Sequence, residues 1–65
     1  RIFVADYNKQ QVLLLNSRLE LERVLLDKQH HQLTNHPHRL CFRQQTSQLF
    51  VGSLVSNCVQ IFTVR

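Results

Sequence analysis

Apolar residues fall along this chain in short blocks separated by polar turns. Ile2-Phe3-Val4-Ala5 and Val12-Leu13-Leu14-Leu15 flank a polar stretch from Asn8 to Gln11. Leu49-Phe50-Val51 and Val59-Gln60-Ile61-Phe62 flank a second, from Ser56 to Cys58. The blocks are rich in β-branched and aromatic side chains and bounded by Asn, Ser and Asp, which favours strands over helices. Shifted by 47 residues, Ile2-Phe3-Val4-Ala5-Asp6 falls on Leu49-Phe50-Val51-Gly52-Ser53, and Val12-Leu13-Leu14-Leu15 falls on Val59-Gln60-Ile61-Phe62. The pattern is one hairpin, written twice.

Between the copies, Ser17-Arg18-Leu19-Glu20 fits a helix capping box, with Leu21, Val24 and Leu25 at helical spacing. The same segment also reads with period two in Leu19-Glu20-Leu21-Glu22, and a strand is favoured because the first hairpin needs a partner. Residues 27–37 are polar, rich in His and closed by Pro37, which predicts a long surface connection. His38-Arg39-Leu40-Cys41-Phe42-Arg43 reads as a further strand. The expected strands therefore lie near 1–6, 11–16, 19–26, 38–43, 48–53 and 58–64.

Six antiparallel strands with a hairpin repeat of this length predict an all-β fold, a partial β-propeller. Four-stranded blades recur at about 40–50 residues in such rings. Residues 1–65 then form one segment of about one and a half blades. Residues 1–26 supply strands 2-3-4 of one blade, 27–37 connect, and 38–65 supply strands 1-2-3 of the next. Closing a ring takes about four blades, so the chain is expected to be a piece of a propeller or a subunit that assembles into one. Its opening, Arg1-Ile2-Phe3-Val4, has the look of a sequence cut from something longer.

Composition narrows the function classes. Hydrophobic residues make up 43% of the 65 positions and charged residues 18%, which is too apolar for a disordered tail and too interrupted for a membrane span. A chain of this length has room for one small core, excluding a multidomain enzyme. Two cysteines, Cys41 and Cys58, are too few for a disulfide framework. They read as small core residues, and with no secretory leader visible a cytoplasmic location without a membrane partner is expected. Eight Lys and Arg against four Asp and Glu give a formal charge of +4, which favours acidic partners such as RNA.

The chemistry-bearing residues point to binding, not catalysis. His30, His31, His36 and His38 lack a closely spaced cysteine pair or an intervening carboxylate, so a solvated loop is expected and no metal or other cofactor. Asp6 ends a strand and is suited to accept bonds from the amides of the turn that follows it. Ser47, Ser53 and Ser56 sit in no nucleophile motif. In a propeller the turn after the second strand and the connection between blades emerge on one face. That face would collect Tyr7, Asn8, Lys9, Gln10, His36, His38, Arg39 and Asn57 as a candidate partner-binding surface. Lys and Arg neutralise phosphates, and Tyr and His stack on unpaired bases.

Ile2-Phe3-Val4-Ala5-Asp6-Tyr7-Asn8 followed by Gln11-Val12-Leu13-Leu14-Leu15-Asn16 resembles the NHL repeat, and His36-Pro37-His38-Arg39-Leu40 is similar to the entry into its next blade. Arg39-Leu40-Cys41-Phe42, Gln48-Leu49-Phe50-Val51-Gly52 and Val59-Gln60-Ile61-Phe62-Thr63-Val64 look most like the C-terminal blades of tripartite-motif proteins that end in an NHL propeller. The second copy carries Val51-Gly52-Ser53 where the first has Val4-Ala5-Asp6. The resemblance implies a non-catalytic recognition segment that binds protein or RNA substrates for a ubiquitin ligase, packed against the remaining blades of its parent chain, with no small-molecule substrate. Two other readings stay open. One is a fragment of an enzymatic six-bladed propeller, a lyase or hydrolase, which would need inward carboxylates or His that Leu40-Cys41-Phe42 does not supply. The other is a self-assembling structural blade.

Overall fold

The computed structural model describes residues 2–33, 36–53 and 59–64. Six strands run in the order β1 (Ile2–Asp6), β2 (Gln11–Leu15), β3 (Leu21–Asp27), β4 (Pro37–Arg43), β5 (Gln48–Ser53) and β6 (Val59–Thr63), with one short helix, α1 (Lys28–His31), after β3. They form two three-stranded antiparallel sheets, β1-β2-β3 and β4-β5-β6. The fold is all-β. No helix among the described residues is long and apolar enough to cross a membrane.

The two hairpins share one pairing register. In the first, Ile2 pairs with Leu15 and Ala5 with Val12. In the second, Leu49 pairs with Phe62 and Gly52 with Val59. A shift of 47 residues converts either set into the other. Register fixes which side chains share a face, because successive residues of a strand alternate sides. Phe3, Ala5, Val12 and Leu14 therefore share one face of the first sheet, its front. Their counterparts Phe50, Gly52, Val59 and Ile61 share the front of the second.

Segment 17–27 is strand from Leu21 onward, and a side chain explains why the capping box does not nucleate a helix. Asn16 Oδ1 accepts from the amides of Arg18 at 2.9 Å and Glu20 at 3.0 Å, and Asn16 N–H donates to the Glu20 carbonyl at 2.9 Å. That closes a turn where a helix would have started. A register irregularity between Val12 and Leu13 then lets the adjacent Leu25 and Leu26 both be buried. The chain has a single glycine, so its turns use other residues in the left-handed region: Gln10, Leu19 and Ser47 have φ of 52°, 65° and 53°.

The core lies between the sheets, and it joins unlike faces. Val12, Leu14, Leu25 and Leu26 of the first sheet meet Leu49 and Val51 of the second, with Phe3, Leu40 and Phe62 packed at the margin. The front of the first sheet is thus covered by the back of the second. Phe3 and Phe42 make the crossing contact, with ring centroids 5.0 Å apart. Burial of this kind is worth about 25 cal/mol per Å² of apolar surface.

Two expectations need correction. The connection after β3 is not wholly a solvated loop: it holds α1, and Leu33 within it is fully buried in the core. Cys41 is exposed and not a core residue. It alternates with Leu40 and Phe42 along β4, and those two take the side facing the first sheet. Cys58 lies outside the described residues.

Candidate functional site

Asp27 organises the connection that leads to His36 of the candidate site. It ends β3 in extended conformation and caps α1, its Oδ1 accepting from the His30 amide at 2.6 Å. The His30 ring Nδ1 lies 2.9 Å from Asp27 Oδ2, and Asp27 N–H donates to His31 Nδ1 at 3.1 Å. The His30 side-chain bond, then its amide, hold the Asp27 carboxyl below its ordinary range. Gln32 closes the helix in the left-handed conformation, and Leu33 N–H reaches back to the Asp27 carbonyl at 3.3 Å.

Two glutamines fasten this connection to both sheets. Gln10, at the end of the β1–β2 turn, donates through Nε2 to the Leu33 carbonyl at 2.6 Å. Gln60, on β6, donates through Nε2 to the Gln32 carbonyl at 3.0 Å. Leu33 is pressed into the core between these ties. Gln60 and Leu33 escape sequence reasoning because neither belongs to a motif; a lone leucine inside a polar run is the one signal that could have found the second.

On this rim Tyr7 and His36 come together. Their ring centroids are 4.9 Å apart at an interplanar angle of 30°, and His36 Nδ1 donates to the Tyr7 carbonyl at 2.5 Å. A carbonyl can only accept, so Nδ1 carries the proton of this bond. Asp6 steadies the turn from below. Its Oδ1 receives the Lys9 amide at 3.5 Å and its Oδ2 the Gln11 side-chain amide at 3.0 Å. Asn8 and Lys9 stand exposed at the tip.

The rim thus gathers Tyr7, Asn8, Lys9, Gln10 and His36. His38 is exposed on β4. Arg39 lies beyond the rim, paired with Gly52, and its Cβ would be 3.7 Å from a Cβ placed there. It therefore belongs to the front of the second sheet with Cys41, Phe50 and Val59. Asn57 lies outside the described residues. Among the described residues, no three His, Cys, Asp or Glu side chains come together as they would around a metal ion. No family model, curated protein or solved structure matches the chain.

Proposed function

We propose that the chain is a segment of an NHL-type β-propeller of the tripartite-motif kind, and that its loop rim is a non-catalytic recognition surface for RNA. Two features support the blade reading: the 47-residue repeat with its shared register, and the stacking of front on back. Blades arranged radially must pack in that sense. The observation that carries the ligand reading is the Tyr7–His36 pair beside exposed Lys9. Flat groups next to a cation suit unpaired bases on a phosphate backbone, and the net charge of +4 draws the same ligand. In the parent protein such a rim would present substrates to a ubiquitin ligase. The resemblance also implies protein substrates, but an acidic protein would gain little from the aromatic pair.

Fluorescence anisotropy with a labelled single-stranded uridine decamer tests this. Tyr7→Ala should weaken binding by roughly 5- to 150-fold, following about 1–3 kcal/mol per stacked base. Lys9→Glu should weaken it further and lower the salt dependence by about 0.7 for each phosphate that Lys9 no longer neutralises. Binding that is unchanged in both variants, or absent from the native chain, would reject RNA as the ligand.

A further inference from the structure

The front of the second sheet lies open along β6, although its residues copy a face whose Val12 and Leu14 are buried elsewhere in the molecule. Phe3, Ala5, Val12 and Leu14 on the first front become Phe50, Gly52, Val59 and Ile61 on the second, a near match in size and polarity at each position. Val12 and Leu14 are 0% and 1% exposed, whereas Val59 and Ile61 are 57% and 55% exposed. Two adjoining shallow depressions lie there, sharing Cys41, Phe50 and Val59.

What covers the first front is the back of the second sheet, through Leu49, Val51 and Phe62. The 47-residue shift gives the counterparts of those three as Ile2, Val4 and Leu15, on the back of the first sheet. Leu21 and Val24 of β3 extend that back face and are exposed. The chain therefore carries a second front and a second back of the same design, neither of them covered by another sheet among the described residues. Isolated exposed apolar residues need no explanation, but two complementary faces at opposite ends of one molecule do.

We infer that, when these 65 residues stand alone without flanking blades, a second copy of the chain is the occupant: the back of its first sheet seats on the open front of the second sheet, repeating the internal sheet-to-sheet contact between molecules. The match covers two strands per sheet, flanked by β4 on one side and β3 on the other. Because the two faces differ, the association is heterologous, so the growing assembly always keeps one open front and one open back and the series continues until a ring closes. The inference needs only the repeat and goes beyond the proposed ligand. It stands or falls without reference to RNA.

Sedimentation velocity tests it with the full 65-residue chain. The native chain should form concentration-dependent species larger than a monomer. Val59→Glu with Ile61→Glu blocks the front, and Leu21→Glu with Val24→Glu blocks the back. Each variant alone should sediment as a monomer, because every contact needs one open front and one open back. Mixed in equal amounts, they should yield a one-to-one dimer. A native chain that stays monomeric at all concentrations, a blocked variant that still associates, or a mixture that does not pair would each overturn the inference. If a glutamate pair loses its β-sheet circular dichroism, threonine at the same positions, which keeps strand propensity, replaces it and should weaken association at least tenfold.

Discussion

The hairpins β1–β2 and β5–β6 share a register and nearly the same apolar sequence, yet they meet opposite fates. Val12 and Leu14 vanish into the core, while their counterparts Val59 and Ile61 face outward. Strand formation is therefore a property of each hairpin's own pattern, but burial is a property of the sheet laid against it. In the first hairpin that neighbour is the back of the second sheet. In the second hairpin no sheet among the described residues fills the same place.

The sharpest way to break the comparison is to truncate matched positions. Leu14→Ala should cost about 2–5 kcal/mol, as buried leucine truncations do. Ile61→Ala should cost under about 1 kcal/mol in urea melts run at low protein concentration, where association is negligible. Equal losses would mean that the two hairpins are equally covered. At the margin of the core, Phe42→Leu removes the ring that meets Phe3 and should cost about 0.5–1.5 kcal/mol. The matching change at Phe50, which faces the open side, should fall below that range.

The turns offer a smaller contrast. Leu19 holds a left-handed conformation that costs an L-residue roughly 1–2 kcal/mol, against about 0.5–1 kcal/mol for the extra chain freedom of glycine. Leu19→Gly should thus raise stability by about 0.5–1 kcal/mol in the same melts, and a loss would show that the Leu19 side chain is holding the turn. The smallest effect lies at the joint between the copies. The depressed Asp27 carboxyl contributes stability above its unfolded pKa, and this contribution disappears as pH falls through the native value. A profile of Tm against pH should therefore decline in the acid range. Asp27→Asn should flatten that decline, with a slight drop in Tm near neutrality.

Much of this architecture is legible in the residues. The blocks of Ile, Phe, Val and Leu mark the hairpins, and their 47-residue recurrence anticipates a register that the backbone pairing repeats pair for pair. The choice between helix and strand at 17–27 depends on Asn16, whose side chain takes the Glu20 amide that the capping box would have bonded to Ser17, and whose own N–H donates to the Glu20 carbonyl. Other features lie beyond pattern reading. A four-residue helix has no periodicity to detect, and Leu33 is a core residue within a connection that Gln10 and Gln60 tie to the two sheets. Cys41 shows the converse: flanked by Leu40 and Phe42, it sits in an apolar run, yet alternation turns it to the opposite side. The candidate rim is legible in part. Tyr7, Asn8, Lys9, Gln10 and His36 come together, while Arg39 falls on a sheet face because it pairs with Gly52 inside the strand.

The central claim is that front packs on back, and ring-to-ring proximity tests it most directly. A nuclear Overhauser spectrum of the chain with assigned phenylalanine rings should show cross-peaks between Phe3 and Phe42. Cross-peaks joining Phe3 to Phe50 in their place would set like face against like face and contradict the account.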